Sequence, residues 1–253
     1  MRLPEGLHLV PAPAAVAFAA PEVEAWVRAT LSRGERLYEA ADGQAEAVLA
    51  GRGPVLVLRT PRGQWVVRRY RRGGRVAAPL LGERYLRVGV ARPLREALAS
   101  AEVRRRGIPT PRVMAGAVYP GWTFYRADLI TEYVADATDL AHALFEEERA
   151  AEERARILRA VGSLVARAAA AGIEHPDLNA KNVLIDRSAG EAVPVLLDLD
   201  RCRLWPAGVT AEPDPMVERL ARSLRRHAER SRRGLGRAEW GALREGAGVA
   251  GAA

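Results

Sequence analysis

The chain has 253 residues, about half of them hydrophobic, and a formal net charge of +8 at pH 7. This length suffices for two lobes that each bury a core, and the hydrophobic content excludes an intrinsically disordered chain. The single cysteine, Cys202, excludes an internal disulfide framework, and no apolar run reaches the roughly 20 residues of a membrane-spanning helix. The basic charge favours anionic partners, such as nucleic acid, anionic lipids or phosphorylated substrates.

The first half of the chain predicts mainly β-strands. Alternating apolar residues and flanking turn residues place the strands at residues 55–60, 65–70, 112–119 and 123–133. Residues 61–64 (PRGQ) join the first two strands as a hairpin. Pro93 predicts the start of one helix, over about residues 93–106, and Gly107 predicts its end.

The second half predicts mainly helices, around one short hairpin. The predicted helices are residues 136–145, 150–171 and 215–245, and the predicted strands are residues 183–186 and 193–197. The small-residue tail 246–253 is expected to be disordered. This order of elements predicts an α+β fold of the bilobal protein-kinase type, with two lobes sharing a cleft. Its β-rich N-lobe would be residues 1–134 and its mostly helical C-lobe residues 135–253.

The strongest chemical signal is the catalytic-loop segment 175–182 (HPDLNAKN), which leads into an apolar strand. Phosphoryl transfer requires an oriented acceptor hydroxyl and ligands for a metal ion. We expect Asp177 to accept the proton of that hydroxyl and Asn182 to bind the metal through its amide oxygen. Asp198, which follows the next apolar strand, supplies a carboxylate for Mg²⁺. His175 is expected to support the loop.

The lysine that holds the ATP phosphates in most protein kinases is missing, because Lys181 is the only lysine in the chain. We assign no catalytic role to Lys181. Our interpretation puts Arg68 of the second strand in the place of that lysine, with Glu96 on the helix as its partner. The alternative is that Arg68 and Glu96 are solvent-facing charges on a strand and a helix. Gly51 and Gly53 fit a short loop over the phosphates, although a plain turn fits nearly as well.

The segment between the predicted lobes is expected to bind adenine. It contains Glu132 and Val134, whose backbone groups would contact the base. The expected cofactors are therefore ATP and Mg²⁺.

Residues 175–186 (HPDLNAKNVLID) resemble the catalytic segment of the 3-deoxy-D-manno-octulosonic acid (Kdo) kinases of Gram-negative bacteria. The other similar segments are residues 65–74, 107–112, 127–132 and 197–202. The first of these carries arginine where lysine is expected in kinases. The resemblance runs from about Gly51 to about Arg225. Asp200 departs from the kinase Asp-Phe-Gly motif, and it is expected either to assist the metal or to form a structural salt bridge.

The resemblance implies ATP-dependent phosphorylation of a Kdo hydroxyl, with the 4-hydroxyl as the expected position, on Kdo-lipid A during lipopolysaccharide core assembly. It also implies peripheral contact with the cytoplasmic face of the inner membrane. Arg71, Arg72 and Arg75 follow the second strand and are candidates to contact the Kdo carboxylate, lipid A phosphates or lipid headgroups. A solvated charged surface is the alternative for these arginines. No nucleic-acid partner is expected.

Two other functions remain open from the sequence. A kinase of the same fold would act on heptose or on a protein, although no Ala-Pro-Glu segment follows Asp198 as in ordinary protein kinases. A non-catalytic basic protein that binds ATP or nucleic acid is the other alternative. Binding of Mg-ATP separates the enzyme from a nucleic-acid-binding protein.

Overall fold

The computed structural model describes residues 3–49, 54–71, 82–86 and 89–249. The chain divides into two compact units. The first comprises Met1–Ala101 and Pro111–Tyr133, and the second comprises Glu102–Thr110 and Val134–Ala253. The predicted division into an N-lobe (residues 1–134) and a C-lobe (residues 135–253) remains a prediction.

The first unit is built on an antiparallel sheet. Its strands in the described residues are β1 (His8–Val10), β2 (Val16–Ala19), β3 (Ala47–Leu49), β4 (Val55–Thr60), β5 (Gly63–Arg69), β6 (Tyr85–Leu86), β7 (Val113–Pro120) and β8 (Phe124–Glu132). Their spatial order is β1-β2-β7-β8-β5-β4-β3, and β6 pairs with the beginning of β8. The turn between β4 and β5 is tighter than predicted, because Thr60 already pairs with Gly63.

Helices cover both faces of this sheet. They are α1 (Pro21–Ser32), α2 (Leu37–Asp42) and α3 (Arg92–Arg105), whose last turn belongs to the second unit. Helices α1 and α2 share a core with Val67 on one face, whereas α3 packs against Leu129 on the other face through Leu94. Because side chains alternate along a strand, Arg68 lies on the face opposite Val67 and therefore towards α3.

The second unit holds the remaining elements. They are β9 (Ala137–Asp139), α4 (Leu140–Phe145), α5 (Ala151–Ala170), β10 (Ile173–Glu174), β11 (Val183–Asp186), β12 (Val193–Leu196), β13 (Arg203–Leu204), α6 (Pro213–Ser231) and α7 (Arg237–Ala247). Strand β11 lies between β9 and β12, and β10 pairs with β13. Val183 pairs with Leu196, so Asn182 and Leu197 stand side by side at the open end of the β11–β12 hairpin. No helix in the described part of the chain has the length and apolar character needed to cross a bilayer.

Helices α5 and α7 pack at a distance that only glycine permits. A Cβ atom on Gly162 would lie 2.2 Å from the carbonyl oxygen of Leu243, and one on Gly246 would lie 2.2 Å from that of Arg159. Both neighbours are backbone atoms, which do not move aside as the end of a flexible side chain would. The two glycines therefore fix the spacing of α5 and α7.

Replacing Gly162 by alanine is expected to lower the free energy of unfolding by about 1–3 kcal/mol, because the added methyl group overpacks the helix contact. Denaturant unfolding followed by circular dichroism measures this loss. Gly241→Ala is the matched control, since Gly241 lies in α7 with no atom near its missing Cβ. Alanine there should leave stability unchanged or raise it by up to about 1 kcal/mol through helix propensity. Equal effects of the two substitutions would contradict the close packing.

Two helix predictions were wrong in extent. Residues 136–145 do not form one helix, because residues 137–139 pair with β11 as a strand. The backbone N–H of His142 donates to the Asp139 side chain at 2.9 Å, and this cap starts α4 at Leu140. Residues 215–245 form two helices, separated at the left-handed residue Arg232 and capped at Gly236.

Other expectations were wrong at the two ends of the chain. Helices α1 and α2 were not predicted, although both contribute to the core of the first unit. The tail 246–253 was expected to be disordered, yet α7 continues to Ala247 and Val249 is buried. Apolar contacts thus order the tail up to residue 249, and the rest lies outside the described residues.

Candidate active site

The loop between β10 and β11 is anchored by His175. Its ring is buried, and Nε2 donates a hydrogen bond to the carbonyl oxygen of Leu197 at 2.9 Å. Burial lowers the pKa of His175, so its ring is neutral at physiological pH and carries its proton on Nε2. His175 therefore ties the loop to the residue before Asp198.

The backbone at Asp177 is fixed by two asparagines of the same loop. Its carbonyl oxygen accepts hydrogen bonds from Nδ2 of Asn179 at 2.8 Å and from Nδ2 of Asn182 at 3.2 Å. The amide oxygen of Asn179 accepts the N–H of Lys181, so Asn179 serves the loop itself. Asn182 uses its nitrogen for the loop, which leaves its amide oxygen as the atom suited to bind a cation.

The carboxylate of Asp177 is held by two arginines that the sequence interpretation missed. Nη1 of Arg201 donates to Oδ2 at 2.6 Å, and Nη2 of Arg219 donates to Oδ1 at 3.3 Å. The Asp177 side chain is 22% exposed, so its carboxylate remains accessible. Arg201 belongs to residues 197–202, which resemble the Kdo kinases. Arg219 lies 42 residues after Asp177, on α6, and no local sequence pattern distinguishes it.

Asp198 and Asn182 are adjacent in the structure. The N–H of Leu197 donates to the carbonyl oxygen of Asn182 at 2.9 Å, and Asp198 follows with a left-handed backbone at φ 60° and ψ 57°. Few residues other than glycine, asparagine and aspartate adopt this conformation readily. Asp200 is buried in the 3-10 turn that begins at the next residue.

These residues fit Mg²⁺ better than a metal bound by protein ligands alone. The described residues contain no cluster of three or more histidine, cysteine, aspartate or glutamate side chains suited to a metal ion. Mg²⁺ typically takes one or two protein oxygen ligands and completes its shell with phosphate and water. The Asn182 amide oxygen and the Asp198 carboxylate are such a pair, and their role as ligands remains a prediction.

In the first unit, Arg68 and Glu96 form an ion pair across the face of the sheet that α3 covers. The hydroxyl of Tyr70 donates to the other carboxylate oxygen of Glu96 at 2.6 Å. The guanidinium of Arg68 also lies 5.1 Å from the centre of the Tyr70 ring. Glu96 is only 4% exposed, so the strand and the helix hold Arg68 in a fixed position. The role of this pair in ATP binding remains a prediction.

Replacing Arg68 by alanine is expected to lower kcat/KM for ATP by about 10- to 100-fold, because a charge-assisted contact to phosphate is lost. Steady-state kinetics with varied ATP measure this effect. Arg62→Ala is the control, since Arg62 lies in the exposed β4–β5 turn and its side chain donates to the Pro21 carbonyl oxygen at 3.1 Å. Arg68→Lys keeps a charge beside buried Glu96 and should retain more activity than the alanine variant. If the Arg62 and Arg68 variants behave alike, another residue anchors the phosphates.

The other predicted site residues are less informative. Glu132 ends β8, and its carboxylate accepts the backbone N–H of Arg112 at 2.9 Å. Val134 lies two residues later, where the chain enters the second unit again. Arg71 is exposed, two residues after the end of β5. Four predicted residues lie outside the described part of the chain: Gly51, Gly53, Arg72 and Arg75.

The sequence model of the lipopolysaccharide kinase (Kdo/WaaP) family matches residues 39–246. The chain belongs to this family. Relatives of this lipopolysaccharide kinase include a 3-deoxy-D-manno-octulosonic acid kinase of Xanthomonas oryzae pv. oryzae, 37% identical over 178 residues, which are 69% of this chain and 67% of the relative. A protein of the same name from Vibrio vulnificus is 29% identical over 200 residues, which are 78% of this chain and 80% of the relative.

A solved structure described as WaaP in complex with acyl carrier protein has a similar fold. It superposes on this kinase with a TM-score of 0.54 at 16% identity, over 95% of this chain and 88% of the other. The predicted α+β, protein-kinase-like fold is therefore confirmed. The predicted membership of the lipopolysaccharide kinases is confirmed as well. The protein is a kinase.

Proposed function

We propose that this kinase transfers the γ-phosphoryl group of ATP to a hydroxyl of a Kdo residue on Kdo-lipid A, with the 4-hydroxyl as the expected acceptor. The family match and the relatives named Kdo kinases support the substrate class. The observation that carries the chemistry is the Asp177 loop. Its backbone is fixed by Asn179 and Asn182, while its carboxylate stays accessible.

In this proposal each held side chain has one task. Asp177 orients the acceptor hydroxyl and accepts its proton as the new bond to phosphorus forms. Neutral His175 keeps the backbone before Asp198 in place. Asn182 and Asp198 would hold Mg²⁺, which when bound neutralises phosphate charge. Arg68, held by Glu96, binds the α- and β-phosphates.

The acceptor is tested by ATP consumption with purified substrates. Kdo-lipid A should support rapid turnover, and heptosylated core acceptors whose Kdo hydroxyls are blocked should not. Phosphorus NMR of the product identifies the hydroxyl that carries the new phosphate. Faster turnover with heptose as the acceptor would overturn the proposal and favour a heptose kinase of the same fold.

We also propose that the kinase contacts the anionic cytoplasmic face of the inner membrane, where its lipid-linked substrate would be found. The net charge of +8 and the run Arg71, Arg72 and Arg75 support this contact. Each basic side chain near an anionic membrane contributes about 1 kcal/mol, and the attraction decays over roughly 8 Å at physiological salt.

Replacing Arg71, Arg72 and Arg75 together by glutamine is expected to weaken binding to anionic vesicles by up to about 100-fold, because three attractive charges are lost. Co-sedimentation with anionic vesicles over a range of salt concentrations measures this binding. The salt dependence should also flatten, while the affinity for ATP stays unchanged. A triple variant that binds vesicles as tightly as the wild type would show that these arginines are solvated and do not contribute to membrane binding.

A further inference from the structure

Two arginines from different elements meet at the carboxylate of Asp177. Arg201 comes from the 3-10 turn just after Asp198, and Arg219 comes from α6. Each reaches the carboxylate through a single nitrogen, at 2.6 Å and 3.3 Å respectively. A guanidinium has five N–H donors, so both side chains keep donors beyond those given to Asp177.

The two guanidinium groups share one carboxylate, so most of their N–H donors are not taken up by Asp177. Both arginine side chains are well exposed, and exposed ion pairs add little to folding stability. The donors that Asp177 leaves are therefore better explained by an anionic ligand than by stabilisation of the loop.

The proposed acceptor carries an anion at the matching place. In Kdo the carboxylate is attached to C2 and the expected acceptor hydroxyl to C4, so only C3 separates these two carbons. When that hydroxyl lies against Asp177, the carboxylate of the same sugar lies beside the groups that surround Asp177. Guanidinium groups bind carboxylates in bidentate geometry, which fixes orientation as well as charge. Heptose has no carboxylate, so such a subsite would discriminate between the two sugars.

We propose that Arg201 and Arg219 form the subsite that binds the carboxylate of the acceptor sugar. This inference rests on the proposed function and specifies which residues select the sugar acid. Arg71, Arg72 and Arg75 are then left for the phosphates and headgroups of the lipid. The γ-phosphate of ATP is the other anion that two arginines beside the base would attract, so the test must separate the two.

The experiment compares a soluble Kdo glycoside with its methyl ester, which keeps every hydroxyl and removes only the charge. We expect the wild type to prefer the acid by about 10- to 100-fold in kcat/KM, the size of one or two charge-assisted hydrogen bonds. Arg201→Gln and Arg219→Gln should each reduce this preference, mainly by raising KM for the acid, and Arg201→Lys should restore part of it. Arg203→Gln is the control, because Arg203 is also exposed but pairs with Glu174 at 3.0 Å. It should leave the preference unchanged.

The outcomes separate the inference from the proposed function. Equal use of acid and ester by the wild type would overturn the carboxylate subsite and leave the Kdo kinase intact. If Arg201→Gln and Arg219→Gln lower turnover of acid and ester alike, the arginines serve ATP or the placement of Asp177, and the subsite is again overturned. If the wild type phosphorylates heptose acceptors but no Kdo acceptor, the proposed function fails, and the inference fails with it.

Discussion

Replacing Asp177 by asparagine is expected to lower turnover by about 10²- to 10⁴-fold while ATP affinity stays nearly unchanged. Asparagine has almost the shape of aspartate, but its amide does not accept the proton of the acceptor hydroxyl. The backbone of residue 177 should keep its place, because Asn179 and Asn182 hold its carbonyl oxygen independently of the side chain. Single-turnover kinetics with saturating ATP, together with equilibrium ATP binding, measure the two effects separately.

Glu174→Gln is the matched control for this substitution. Glu174 lies three residues before Asp177, pairs with an arginine, and is 23% exposed where Asp177 is 22% exposed. Glu174→Gln removes one ion pair and Asp177→Asn removes two, and each such pair is worth at most about 1 kcal/mol of stability. Only the Asp177 variant should lose turnover. Nearly wild-type turnover in folded Asp177→Asn would exclude Asp177 as the base.

The loop at residues 175–182 was predictable because its structure is local. The bonds that fix the carbonyl oxygen of Asp177 come from residues two and five positions later, so the same short segment contains both the signal and the geometry. The Arg68–Glu96 pair could also be predicted from the sequence. Strand alternation places Arg68 on the face opposite Val67, and α3 is the helix that covers that face.

The two arginines that bind Asp177 could not be predicted from the sequence, for a different reason. Arg219 reaches the loop only because α6 packs in the second unit, and no spacing within the helix distinguishes it from the other arginines there. The start of α4 shows the same limit. Asp139 looks helical in sequence, but the pairing of residues 137–139 with β11 depends on residues more than 40 positions away. Long-range contacts therefore determined both the position of Arg219 and the start of α4, against the local propensity of the sequence.

Replacing Asp198 by asparagine is expected to abolish the Mg²⁺ dependence of ATP binding and to lower turnover by at least about 10²-fold. The substitution removes the charged ligand but keeps a residue that tolerates the left-handed backbone at φ 60°. Alanine at this position would add backbone strain, and its effect would mix folding with metal binding. Isothermal titration of ATP with and without Mg²⁺ measures the dependence, and thermal unfolding checks the fold.

Asp186→Asn is the control from the other end of the same hairpin, where Asp186 accepts the backbone N–H of Ser188 at 2.9 Å. That contact shapes the turn after β11, and Asp186 lies four residues after Asn182. Neither the ATP affinity nor its Mg²⁺ dependence should therefore change. The two variants lose the same charge from the same hairpin and differ in position. An Asp198→Asn protein that still binds ATP more tightly with Mg²⁺ than without it would show that Asp198 is not the ligand. Asp200 would then be the next carboxylate to replace, since it is buried two residues further on.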